Sequence, residues 1–207
     1  MKKYRPESHF EGVLVAMDTS QSPTSVSCAT STFCVVVDAS GNALTYNGTS
    51  WSAPTAIDAG TSLSQVSCPT TTFCVALDSS GFATMFNGST WSPSVVIDAG
   101  YSYDSVSCTS STFCVAMNQN GDSTTYDGSS WSSPVSFTDN YPATMLSCAS
   151  ATFCLAVDQN GGALAYDGST WSSPAPIDAG GSLQAVSCPT TTFCVAIDPA
   201  GLVVPGR

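Results

Sequence analysis

Apolar and polar positions alternate in short runs along this chain, and the runs recur every forty residues. The unit reads S-V-S-C-x-T-x-T-F-C-V-A-x-D-x-x-G, then a short spacer, then Y-[ND]-G-[ST]-[ST]-W-S-x-P-x-x-I-D-A-G. Copies begin near residues 25, 65, 105, 145 and 185, and the last reaches Arg207 before its Trp segment. No stretch sustains the 3.6-residue apolar period of a helix. Each unit instead parses into four short strands divided by turn signals. In the second copy these are Val66 to Cys68, Phe73 to Asp78, Phe82 to Phe86, and Trp91 to Asp98. Asp78-Ser-Ser-Gly81 predicts a turn in which Gly supplies a positive φ. Asn87-Gly88 predicts a tight hairpin, repeated as Asn47-Gly48, Asp127-Gly128 and Asp167-Gly168.

Four antiparallel strands in forty residues is the size of a propeller blade, which needs neighbours to bury its faces. The predicted fold is therefore all-β: a five-bladed β-propeller over residues 1–207 as a single domain, with the Trp strand outermost. Glu11-Gly-Val-Leu-Val-Ala-Met-Asp18 lies one period before Trp51-Ser-Ala-Pro-Thr-Ala-Ile-Asp58. It is expected to be the closing strand, 11–18, that completes the last blade. A solenoid of stacked hairpins is the alternative, but its ends should be caps, and here the ends complement each other. Phe33, Phe73, Phe113, Phe153 and Phe193 share strand parity with Val35, Val75, Val115, Leu155 and Val195, which predicts core between blades.

Ten cysteines sit in five pairs: Cys28/Cys34, Cys68/Cys74, Cys108/Cys114, Cys148/Cys154 and Cys188/Cys194. Structural zinc prefers C-x2-C or C-x4-C pairs joined by a second pair or by histidines. The spacing here is C-x5-C and the one histidine is His9, so a disulfide within each pair fits better. Closing so short a loop is worth about 2 kcal/mol in the chain-entropy model. Disulfides persist in oxidising surroundings, which predicts a secreted or cell-surface protein. The N-terminal run shows no export signal: Met1-Lys2-Lys3 is followed by polar residues, and Val13 to Met17 is short for an h-region.

Charge narrows the partners. Asp plus Glu total 15 against 4 Lys plus Arg, and no Lys or Arg lies between Pro6 and Gly206. Phosphate binding needs clustered basic side chains, so a nucleic-acid partner is excluded, and an anionic membrane surface is disfavoured. No run approaches the ~20 apolar residues of a membrane span.

Catalytic chemistry finds little support. A Ser-His-Asp triad would depend on His9, in an irregular N-terminal stretch. Asp38, Asp78, Asp158 and Asp198, with Asn118 in the remaining copy, repeat as turn residues repeat. Solvated turn aspartates are expected rather than a calcium loop, since no D-x-D-x-D-G run occurs. The carboxylates that break the repeat, Glu7, Glu11, Asp104, Asp122 and Asp139, form no recognisable acid–base pair. Asp127-Gly128-Ser-Ser-Trp131 departs from the S-x-D-x-G-x-T-W spacing of sialidase Asp boxes. No enzyme, metal or cofactor is expected.

Aromatics are the better candidates. Trp51, Trp91, Trp131 and Trp171 each follow a hairpin carrying Tyr46, Phe86, Tyr126 or Tyr166. Such rings can stack on the C–H faces of sugars while neighbouring hydroxyls and amides bond sugar oxygens. The same Trp residues share parity with Val95 and Ile97, as blade packing would also require. The connections before each first strand vary most and carry Tyr101, Tyr103 and Tyr141, candidates for contact with a partner.

The strings Tyr46-Asn-Gly-Thr-Ser-Trp51-Ser and Tyr126-Asp-Gly-Ser-Ser-Trp131-Ser resemble those of bacterial propeller lectins, and the five-fold count resembles the tachylectin type. The repeat as a whole resembles Cys-paired repeats of secreted actinobacterial proteins. The lectin resemblance covers about seven residues in forty and implies shallow glycan sites between blades. The leading expectation is thus a carbohydrate-binding propeller for neutral glycans. The alternative is a protein-interaction scaffold or targeting subunit of a larger secreted or toxin assembly, and a glycosidase ranks behind both.

Overall fold

The structure is a computed structural model that describes residues 22–136, 143–178, 181–201 and 203–206. All regular structure in these residues is β. Five antiparallel sheets follow one another along the chain, each an up-and-down meander in chain order. The first strands are Pro23–Thr30, Leu63–Thr70, Tyr103–Ser110, Ala143–Ser150 and Ala185–Thr190. The second are Phe33–Asp38, Phe73–Asp78, Phe113–Asn118, Phe153–Asp158 and Phe193–Ile197. The third are Asn42–Tyr46, Phe82–Phe86, Asp122–Tyr126, Gly162–Tyr166 and Val203–Gly206. The fourth are only two residues long: Thr55–Ala56, Val95–Val96, Val135–Ser136 and Ala175–Pro176.

The sheets are blades, stacked face to face in sequence order. First strands touch the first strands of the neighbouring blades and so form the inner edge, with the Trp segments outside. Among the described residues, blades one to five run as an open series rather than a closed ring. The expected closing strand, 11–18, lies outside the described residues.

Each boundary between blades is a separate core. One face of the first blade (Val35, Val37, Ala43) packs on the opposite face of the second (Leu63, Val66, Ala76, Phe86). The next boundary joins Val75, Leu77 and Ala83 to Tyr103, Ala116 and Tyr126, and the third joins Val115 and Met117 to Leu146, Ala156 and Leu164. A fully buried Val or Leu contributes about 1.5–3 kcal/mol, so these interfaces account for much of the drive to fold. Three of the five predicted phenylalanines lie between blades. Phe33, Phe73 and Phe113 stack on Phe86, Tyr126 and Tyr166 of the following blade at 6.0–6.1 Å. They are only half-buried, and Phe193, in the last blade, is 47 % exposed.

Polar rungs cross the same boundaries. The amides of Cys68, Cys108, Cys148 and Cys188 donate to the hydroxyls of Ser27, Ser67, Ser107 and Ser147 in the preceding blade at 2.9–3.0 Å.

All five disulfides form within the predicted pairs, one per blade: Cys28–Cys34, Cys68–Cys74, Cys108–Cys114, Cys148–Cys154 and Cys188–Cys194. Each joins the first strand of its blade to the second. Cys28 and Cys34 stand directly opposite each other in the ladder, as do Cys108 and Cys114, and Cys148 and Cys154. The second-strand partners point into the blade stack: Cys74, Cys114, Cys154 and Cys194 are buried, whereas Cys34, in the first blade, is half-buried. Among the described residues no cysteine is free. The cysteines are therefore staples of the blades rather than parts of a binding surface.

Two expectations need correction. The first strands are longer than Val66 to Cys68: in the second blade the strand runs Leu63–Thr70. The fourth is not continuous from Trp91 to Asp98. Trp91 makes one isolated bridge to Phe86, and pairing resumes only at Val95–Val96. Proline causes the break, since Pro93 has no amide to offer the ladder. Ser92 bridges the gap by donating its amide to the Met85 carbonyl and accepting the Met85 amide on its hydroxyl. Ser52, Ser132 and Ser172 do the same for Thr45, Thr125 and Ala165.

Candidate functional site: grooves between blades

The hairpin that carries each Trp is fixed locally. Asn47, Asn87, Asp127 and Asp167 each accept two backbone amides on Oδ1, from the residues two and three positions on. The glycine beside each sits at a positive φ of 91–100°. These amide bonds, with the Thr170 amide first, hold the exposed Asp167 carboxyl down to about 2, and the Ser130 amide leads the same effect on Asp127. The turn places the third-strand aromatic against the Trp: Tyr46–Trp51, Phe86–Trp91, Tyr126–Trp131 and Tyr166–Trp171 lie 5.3–5.4 Å apart, tilted by 43–46°.

The other blade end is equally constrained. At Gly81 (φ +90°) an added Cβ would fall 1.8 Å from the Asp98 carbonyl oxygen, so only glycine fits. The Gly81 carbonyl in turn accepts the amides of Ile97 and Asp98, tying the end of the repeat to its own blade. Asp38, Asp78 and Asp158 are 1–4 % exposed and Asn118 is fully buried, which corrects the expectation of solvated turns. Their Oδ1 atoms accept the amides two and four residues on, a bond that requires the side chain to turn inward.

Among the described residues two grooves result, equivalent by the repeat. The first, about 540 Å³, lies between Thr45, Ser52 and Thr55 of blade one and Phe86, Thr90 and Trp91 of blade two. The second, about 410 Å³, lies between Thr125, Ser132 and Val135 of blade three and Tyr166, Thr170 and Trp171 of blade four. Each has an aromatic wall, hydroxyl groups along the other side and no carboxylate in its lining. No disulfide borders either one: Cys34, Cys74, Cys114, Cys154 and Cys194 and their partners all stand outside the groove linings. The two readings of the Trp rings therefore converge. Trp91 and Trp171 are half-buried against the neighbouring core and also line the grooves. Trp51, Trp131, Tyr46 and Tyr126 occupy the equivalent hairpins but line neither groove. At the boundary of blades two and three, Met85 and the exposed Val95 and Val96 stand where the two boundaries with grooves place Thr45, Thr55 and Ala56, or Thr125, Val135 and Ser136.

Of the loop tyrosines, Tyr101 is 39 % exposed, Tyr141 lies outside the described residues, and Tyr103 is fully buried. Tyr103 is a correction: it occupies the position of Leu63 and Leu183 and belongs to the core between blades two and three. Burial pushes its phenol above the ordinary range; the Thr124 hydroxyl beside it offsets this in part, but neither hydroxyl makes a hydrogen bond of normal geometry. The groove hydroxyls Thr45, Ser52, Thr125 and Ser132 were not singled out by sequence reasoning. Their recurrence at fixed offsets from Trp was the available signal.

No protein-family model matches the chain, and no curated protein does either. Solved structures match its fold. YCF48 bound to D1 peptide superposes with a TM-score of 0.72 at 15 % identity, covering 93 % of this chain and 66 % of that one. The crystal structure of BBS1N in complex with ARL6DN gives 0.71 at 13 %, covering 92 % and 67 %. The Neurospora crassa Pan2 WD40 domain gives 0.72 at 13 %, covering 93 % and 65 %. The chain is thus similar in fold to β-propellers and spans about two thirds of their length.

Proposed function

We propose that the chain is a non-enzymatic interaction propeller that holds an uncharged or basic segment of a partner protein along the grooves between its blades. The observation that carries this reading is the repetition of one open groove at two boundaries, each with a Trp wall and neither lined by a carboxylate or histidine. Exposed Val135 on the short outer strand of blade three adds apolar surface to the second groove. The body's lack of Lys and Arg, within a net charge of −11, disfavours an acidic partner. Two of the similar propellers support it as well, one being bound to a D1 peptide and the other in complex with ARL6DN. Five disulfides are consistent with an extracellular setting.

A second reading, neutral glycans in the same grooves, is favoured by one specific observation: the Trp faces are ringed by Ser and Thr hydroxyls, which suit sugar C–H faces and oxygens. One experiment separates the two. The folded, oxidised protein is screened against a displayed random-peptide library and against a glycan array, with Thr90→Arg and Thr170→Arg as groove-blocking variants. Both positions are exposed, so the cores stay intact. Peptide enrichment lost in the double variant supports the interaction reading. Glycan binding without peptide enrichment supports the second, and enrichment of neither ligand contradicts both.

A further inference from the structure

The first strand of each of blades one to four carries an extra residue near its start, and in the third blade that residue is Asp104. Tyr103 pairs with Asn118 and Ser105 with Met117, leaving Asp104 without a partner in the ladder. Thr24 and Ser64 hold the same position in the first two blades. A bulge re-aims its side chain, and in those blades the re-aimed hydroxyl donates to backbone. Thr24 donates to the Val37 carbonyl at 3.1 Å, and Ser64 reaches the carbonyls of Leu77 and Tyr103 at 3.2 and 2.7 Å. An ionised carboxylate has no proton to donate, so Asp104 places an acceptor where its counterparts place a donor.

What Asp104 faces instead is a cavity of about 430 Å³, lined with it by Met145, Gln159, Ser182, Leu183 and Gln184. The cavity spans three blades beside the inner strands, at the end opposite the Trp hairpins. Half-burial raises the Asp104 pKa, and the Ser102 hydroxyl offsets this only in part. No Lys or Arg between residues 6 and 206 exists to pair with it. The lining combines one carboxylate, two side-chain amides and a hydroxyl with the apolar surfaces of Met145 and Leu183. A long cationic side chain matches that combination, its stem lying on the apolar wall and its head reaching the oxygens.

We propose that this cavity receives a lysine or arginine side chain of the partner protein, as a second anchor apart from the grooves. The inference rests on the reading of the chain as a protein-binding module. Its test uses the peptides enriched by selection on the folded, oxidised protein, measured by calorimetry against wild type and Asp104→Ser. Serine restores the hydroxyl found at Ser64, so the variant keeps the bulge bonded and folded; circular dichroism confirms this. The expected result is that selected peptides carry a Lys or Arg, that Asp104→Ser weakens them about tenfold, and that replacing that basic residue by Met costs no more in the variant. Peptides that bind wild type and Asp104→Ser equally would overturn the proposal while leaving the interaction reading intact. An absence of any selected peptide fails the interaction reading, and this inference with it. Equal weakening of peptides that lack a basic residue also overturns it, since the effect is then structural.

Discussion

The indole Nε1 of Trp171 donates across a blade boundary to the Ser123 hydroxyl at 3.1 Å. One period earlier Trp131 meets Ala83 instead of serine, and its buried Nε1 has no partner. A buried donor left unpaired costs about 1–3 kcal/mol.

Ala83→Ser should therefore stabilise the protein by about 1 kcal/mol, and Ser123→Ala should destabilise it by about 1–3 kcal/mol. Urea unfolding monitored by Trp fluorescence measures both. A destabilising Ala83→Ser would show that the hydroxyl cannot reach the indole.

The serine rungs give a second expectation. Ser67→Ala removes the acceptor for the Cys108 amide and should cost about 1–3 kcal/mol, with faster hydrogen exchange at Cys108. Ser187, at the same place in the last blade, is exposed, so Ser187→Ala should stay within about 0.5 kcal/mol. Equal effects at the two positions would deny the rungs a role.

Acid dependence should carry two opposing signatures. Burial, with the neighbouring Asp78 carboxyl, raises the Asp58 pKa. A carboxyl raised on folding stabilises fully below its ordinary pKa of 3.8, and that stability is lost as pH climbs through the raised value. Asp167, held at about 2, behaves oppositely: its stabilisation is present above the ordinary carboxylate pKa and disappears as pH falls toward 2. The third blade already contains the remedy for the first effect, since Asn118 donates to Asp98 at 2.9 Å. Asp78→Asn should raise Tm relative to wild type at about pH 6–7 and leave little difference at about pH 3. Asp167→Asn should flatten the acid limb alone.

Tyr103→Phe removes a buried hydroxyl that makes no hydrogen bond of normal geometry, even to the Thr124 hydroxyl beside it. Thermal unfolding should show a Tm unchanged or raised, whereas Tyr103→Ala should cost about 3–5 kcal/mol. Loss of Tm in the Phe variant would reveal a bond to that hydroxyl.

Much of this architecture is legible in the sequence because the repeat encodes it locally. The Cys68/Cys74 spacing spans one hairpin, Gly81 marks a turn only glycine can make, and Asn87-Gly88 marks the hairpin before Trp91. What escapes is set by contacts between repeats or by a change of register. The bulge at Asp104 shifts the strand's alternation, which turns Tyr103 from an apparent loop residue into core. Pro93 splits the Trp strand, and Ser27 looks like any serine until Cys68 of the next blade is laid against it. Trp91 could not be assigned to packing or to a groove because it serves both, and only the adjacent blade's Thr45 and Ser52 reveal the second.

The groove claim is tested most directly by a two-dimensional NMR titration of ¹⁵N-Trp-labelled, oxidised protein with the tightest selected peptide. The four indole N–H signals report the four hairpins separately. Shifts concentrated at Trp91 and Trp171, abolished by Thr90→Arg with Thr170→Arg, are the predicted result. Saturable binding that leaves all four indole signals in place would contradict it.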